Sequence, residues 1–265
     1  MPYVEADGAR IYWEERGSGE PLLMIMGLGY SLEMWGRVVP ALAEHYRVIV
    51  FDNRGVGRSD VPAGPYTIAG MAADAEAVLS AAAVERAHVL GVSMGGMIAQ
   101  ELTLQYPERV HSLVLGCTAF GGPLAVSAGP AVRRVLFARA TMEDEEAIRA
   151  MVPYIYDAQT PRERIEEDLA MRRRTLPTAE AYMAQLQAIM AWSSESRLSQ
   201  IQAPTLVVHG ETDELVPAAN GRLIAERISG AELLLLPSAS HIYFTDQPEA
   251  SLSATLGFLR RHPLS

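Results

Sequence analysis

The sequence predicts an α/β fold, a mostly parallel sheet flanked by helices on both faces, with an all-helical segment inserted late in the chain. Three observations carry this. Strand-like runs alternate with helix-like ones along most of the 265 residues. The strand-like runs are mostly apolar throughout rather than alternating, which is the pattern of strands buried on both faces. The stretch from about Gly121 to about Ile201 breaks the alternation and shows helical patterns only.

Taken in order, Ile11 to Glu15 alternates as a strand, and Leu22 to Met26 is a short apolar run between Pro21 and Gly27. A helical stretch around Leu32 to Glu44 leads to the β-branched run Arg47 to Phe51, which Asp52-Asn53-Arg54-Gly55 ends as a turn. Ile68 to Ala82 is rich in Ala and helical, His88 to Gly91 is a strand, Met94 to Gln105 a helix and Val110 to Leu115 a strand. The interrupting segment holds helical patterns at Ala131 to Ala140, Asp144 to Tyr154, Arg162 to Thr175 and Ala179 to Trp192. Alternation then resumes with strand Thr205 to Val208, helix Ala218 to Ile228, strand Leu233 to Leu236 and helix Glu249 to Arg260. The expected division is a core of residues 1–121 and 202–265 with a helical cap, or lid, at 122–201. An insertion at that point sits over the carboxyl ends of the strands, where open parallel sheets bind ligands.

Composition narrows the chemistry. All 22 Lys+Arg residues are Arg, so a Schiff-base, P-loop or general-base lysine is excluded. A single Cys, Cys117, excludes an internal disulfide and a cysteine zinc cage. The net charge of −10 argues against nucleic acid and anionic membranes as partners. The longest apolar run is far below spanning length, and the first residues lack a leader pattern, so the expected location is cytoplasmic. No two His stand at ligand spacing on one element, so no metal is expected; no other cofactor is expected either.

Gly91-Val92-Ser93-Met94-Gly95 follows one strand and opens a helix. A Ser on so sharp a turn exposes its hydroxyl, and the glycines let the helix pass close to the strand. The plainer reading is a helix N-cap Ser with two packing glycines. A serine nucleophile needs a base. Of six His, His241 alone lies in a loop directly after a carboxyl-edge strand, whereas His88 and His111 sit on the amino side and His209 ends a strand. The base needs a carboxylate to hold its tautomer. Asp213, in the loop after Thr205 to Val208, has the rivals Glu211 and Glu214. An oxyanion hole completes the set, with backbone N–H groups of Met94 and of Leu28 in Met26-Gly27-Leu28-Gly29-Tyr30.

On these motifs, with Asp52-Asn53-Arg54-Gly55-Val56-Gly57-Arg58-Ser59 matching the D-x-R-G-x-G-x-S turn, the chain resembles the α/β-hydrolase superfamily over nearly its whole length. The nearest branch holds 3-oxoadipate enol-lactonases, cofactor-free haloperoxidase-type esterases and C–C bond hydrolases. The resemblance implies a mostly parallel eight-stranded sheet with the cap after the sixth strand. It selects Asp213 as the acid and implies a Ser93, Asp213, His241 triad acting on a small or medium ester or lactone. Met26 stands where that branch has His, which makes the pocket floor more apolar. Alternatives are C–C cleavage of a ring-cleavage diketone, perhydrolysis, or a non-catalytic receptor on the same fold. Met26, Trp35 and Trp192 are the candidate substrate-binding residues. Arg172-Arg173-Arg174, with Glu166, Glu167 and Asp168 nearby, reads as a solvated salt-bridged helix face. A small-molecule substrate is the expected partner, and a homodimer is left open.

Overall fold

The computed structural model describes Tyr3 to Leu264. Its sheet has eight strands in the order β1-β2-β4-β3-β5-β6-β7-β8. These are β1 Tyr3–Ala6, β2 Ala9–Arg16, β3 Pro21–Ile25, β4 Arg47–Phe51, β5 Ala87–Val92, β6 Val110–Gly116, β7 Thr205–Gly210 and β8 Glu232–Leu236. The first two strands run antiparallel to their neighbours, and all other pairings are parallel.

Burial on both faces accounts for the unbroken apolar runs. In β3, Leu23 and Ile25 enter one core layer while Leu22 and Met24 enter the other. The first layer packs under α2 Ile68–Ala81 and α3 Met94–Gln105. The second packs against α1 Val39–Ala43 and α11 Pro248–Arg261, with Trp35, Phe244 and Phe258 at its centre.

Three local features depart from the sequence reading. The strand β1 is additional: Asp7 and Gly8, at φ 41° and 75°, turn it back onto β2, and this Asp-Gly pair is the hairpin signal that could have revealed it. Leu32 to Glu44 is a 3-10 turn, Leu32–Arg37, followed by α1, with Pro40 in its first turn. Asp144 to Tyr154 is two helices, α5 Asp144–Arg149 and α6 Val152–Ile155, because Pro153 has no N–H to donate and crowds the preceding turn.

Between β6 and β7 lie α4 Pro130–Ala138, α5, α6, α7 Arg162–Arg173 and α8 Ala179–Ala191. The two ends of this segment are clipped together. Gly121 and Ser193 form an antiparallel bridge, and Ser194 N donates to the Phe120 carbonyl at 2.8 Å. After β7 come α9 Ala219–Arg227 and, beyond β8, α10 Tyr243–Asp246 before α11. Among the described residues no helix is long and apolar enough to cross a membrane.

Gly95 is where α3 crosses the end of β3. A Cβ there would overlap the Ile25 carbonyl, which is backbone and cannot swing away. Gly95→Ala is therefore expected to destabilise the fold by about 3 kcal/mol. Thermal unfolding checks this, as a fall in Tm of about 10 °C.

Candidate active site

One residue, Ser93, makes the turn from β5 into α3. Its backbone takes φ 58° and ψ −122°, a region that L side chains rarely occupy. The conformation is pinned from both sides. Ser93 N donates to the Gly116 carbonyl at 2.9 Å, and the Ser93 carbonyl accepts from Gly96 N at 2.9 Å and Thr118 Oγ1 at 2.6 Å. The Ser93 side chain makes no cap bond to the helix it precedes and lines a cavity instead.

His241 follows β8 and reaches the same cavity. Its Nδ1 is 2.8 Å from Asp213 Oδ2, and both side chains are buried. Asp213 Oδ1 accepts the backbone N–H groups of Leu215 at 2.9 Å and Val216 at 2.8 Å. Burial alone would raise this carboxyl, but the charges and hydrogen bonds of His241 and His209 outweigh it and hold Asp213 down at about 2. The acid is thus a carboxylate throughout the neutral range. Among the described residues no hydrogen bond joins Ser93 Oγ to His241, and such bonds are often long until substrate closes the site.

The N–H groups of Leu28 and Met94 donate to no group among the described residues, and both residues line the cavity beside Ser93. The loop that carries Leu28 is tied down by Asp52 and Asn53, which the sequence reading noted only as part of the D-x-R-G-x-G-x-S turn, and by Gln185, which it did not single out. Asn53 Nδ2 donates to the Met26 carbonyl at 2.9 Å, and Asp52 Oδ1 accepts Leu32 N at 2.7 Å. Gln185 of α8 accepts Gly29 N at 2.9 Å and donates to the Arg54 carbonyl at 2.8 Å. A buried amide spaced for a helix core position gives no one-dimensional signal of this bridge.

The cavity has a volume of about 390 Å³. Its wall is mainly aliphatic and thioether, with Met26, Met94, Met97, Ile155, Leu186 and Ile189 among its residues. Arg133 and Arg139 are the arginines on that wall. Trp192 lines it too, its indole N–H bonded to Glu101 Oε2 at 2.7 Å. Trp35 does not line it, which corrects the sequence reading. Its ring is fully buried in the second core layer, 5.2 Å from that of Phe244, because the 3-10 turn aims it at the sheet.

The three-arginine run also differs from expectation at one position. Arg173 pairs with Glu145 at 2.7 Å, and Arg174 lies 3.8 Å from Glu33, as a solvated face would. Arg172 is instead buried with its guanidinium 4.6 Å from the centre of the Tyr30 ring. The other histidines have structural partners. His88 meets Ser112 at 2.7 Å and Glu20 at 3.1 Å, and His209 meets the Val216 carbonyl at 2.7 Å. Ligand atoms of Cys117, His209 and Asp213 come within 4.8 Å of one another. Burial pushes the Cys117 thiol up, and both Asp213 oxygens already have partners, so this is not a ready donor set for a metal.

A strained serine, a carboxylate-bound histidine and a mostly parallel eight-stranded sheet together define a hydrolase architecture. Residues 20–248 match the family model of the alpha/beta hydrolase fold, and the chain belongs to that family. It is 34% identical to a carbamate hydrolase of Azorhizobium caulinodans, an assignment its name marks as provisional, over 97% of this chain and 98% of that one. It is 33% identical to a poly(3-hydroxyalkanoate) depolymerase of Ectopseudomonas oleovorans, over 91% and 84%. Among solved structures, the enol-lactonase of Burkholderia xenovorans superposes with a TM-score of 0.87 at 29% identity, covering 98% of this chain and all of the other.

Proposed function

We propose that the protein is a serine hydrolase of carboxylic esters and lactones that works through an acyl-enzyme. The observation that carries this is the 2.8 Å His241–Asp213 contact opening onto the cavity that Ser93 also lines. His241 takes the Ser93 proton as the hydroxyl attacks the carbonyl carbon. The Leu28 and Met94 N–H groups receive the charge that develops on the oxyanion. His241 then protonates the leaving alkoxide, and water attacks the acyl-serine by the same route in reverse. Residues 122–201 serve as the cap over this site, contributing Trp192, Leu186 and Ile189 to the wall.

The wall favours an aliphatic acyl group. Met26, Met94 and Met97 are flexible thioethers that can close around chains of different length. Each methylene buried contributes about 0.8 kcal/mol, or roughly fourfold in kcat/KM where it is felt in the transition state. For p-nitrophenyl esters, kcat/KM is expected to climb from acetate through butyrate and to level off when the cavity is full. A panel of these esters, aliphatic lactones and a dienoic diketone tests the reading. Activity confined to the diketone would replace it with C–C bond hydrolysis, and ligand-induced stabilisation without any turnover would replace it with a receptor.

A further inference from the structure

We infer that the segment Tyr154 to Asp168 of the inserted helices is a brace for the two loops that carry Asp213 and His241, with Asp157 of the segment and Asp246 of α10, which the segment holds, as positioning residues. This rests on the triad reading above. The observation behind it is a set of bonds that converge on both loops from one stretch of the insertion.

The His241 loop is held on each side of the imidazole. Ile242 N donates to the Ile155 carbonyl at 2.9 Å, and Ser240 Oγ donates to the Tyr154 carbonyl at 3.3 Å. Ser240 N donates to Asp246 Oδ2 at 2.6 Å, while Asp246 Oδ1 accepts the Thr160 hydroxyl at 2.6 Å. Gln159 Nε2 reaches Ser238 Oγ at 3.0 Å. The acid loop is tied to the same stretch: the Thr212 hydroxyl lies 2.7 Å from Asp157 Oδ2, one residue before Asp213. Farther along, Thr245 Oγ1 donates to the buried Asp168 at 2.6 Å.

The Asp246 carboxylate is costly to place here, which argues that the loops need it. Asp157 and Asp246 are both buried. Burial pushes the Asp246 carboxyl up to about 6 and the charge of Asp157 adds to this, against the donations from Thr160 and Ser240 N. No arginine pairs with either of them among the described residues. Their hydrogen bonds run to the two catalytic loops or to neighbours in the brace. A segment bonded in this way to both loops sets the His241–Asp213 distance and also the direction in which Nε2 faces Ser93. Neither Asp157 nor Asp246 touches substrate in this account; each acts through the histidine.

The test uses the full chain and two readouts. One is kcat and KM on p-nitrophenyl butyrate. The other, which needs no substrate, is the low-field NMR signal of the proton between His241 Nδ1 and Asp213. For Asp157→Ala and Asp246→Ala, kcat is expected to fall about tenfold to a hundredfold with KM nearly unchanged, as displacement of a catalytic group by an ångström does. The low-field signal is expected to broaden or shift. Asp157→Asn can still bond the Thr212 hydroxyl and should recover most of both. Thr160→Val has the same shape and removes only the hydroxyl donation, so it decides the matter if an Ala variant fails to fold. Wild-type kcat together with an unchanged low-field signal in the folded variants would overturn the inference. A wild-type protein that turns over no ester would count against the hydrolase reading, and the NMR contrast between variants would still decide the brace.

Discussion

Ser93→Ala is expected to lower kcat/KM for ester hydrolysis by about 10⁴-fold or more. Removing the nucleophile of a triad leaves only the rate enhancement that the oxyanion donors and substrate binding supply. The residual rate should show no burst, because no acyl-enzyme forms. The substitution takes away one oxygen that bonds nothing in the helix it precedes, and the backbone bonds to Gly116 and Gly96 remain. Its effect on stability should therefore stay within about 0.5 kcal/mol, measured by thermal unfolding. Steady-state kinetics on p-nitrophenyl butyrate with both proteins at matched concentration checks the loss. A variant that keeps a tenth of wild-type activity would mean that the chemistry lies elsewhere.

Asp213→Asn carries the second large effect, a loss of about 10⁴ in kcat, and the structure says why so small a change should cost so much. Asp213 Oδ1 accepts two backbone N–H groups, from Leu215 and Val216. An asparagine must keep its carbonyl oxygen there, since an amide NH₂ in that position would face two donors. Its NH₂ then takes the place of Oδ2 and points at His241 Nδ1, which has to become an acceptor. The ring proton moves to Nε2, and the histidine can no longer accept a proton from Ser93. The shape is preserved and the tautomer is wrong. The prediction is a large fall in kcat with little change in KM. Near-wild-type kcat in this variant would show that Asp213 does not orient the base.

How much of this could be read from one dimension follows from what each feature depends on. The strands were legible because a strand covered on both faces is apolar at every position, as Val48 to Phe51 and Leu206 to Val208 are. Ser93 and His241 were legible because each follows a parallel strand, Ser93 at once and His241 after a loop, and parallel strands bring their carboxyl ends to one edge. Asp213 shares its loop with Glu211 and Glu214, and only the family resemblance singled it out. Trp35 misled because an aromatic residue near a site loop has the same local signature whether it faces a cavity or a core. Arg172 misled for the converse reason: its neighbours Arg173 and Arg174 do lie on the solvated face. Gln185, Asp157 and Asp246 could not be found, since the partners that tie them to other elements (Gly29, Thr212 and Thr160) stand far away in the chain and only the packed insertion brings them together.

The claim that Ser93 carries the acyl group is tested most directly by labelling the wild-type protein with a fluorophosphonate and mapping the adduct by peptide mass spectrometry. One adduct per chain, on the peptide containing Ser93, with hydrolysis lost in proportion to labelling, is the predicted result. Continued ester hydrolysis by fully labelled protein, or an adduct on any other residue accompanied by loss of activity, would contradict it.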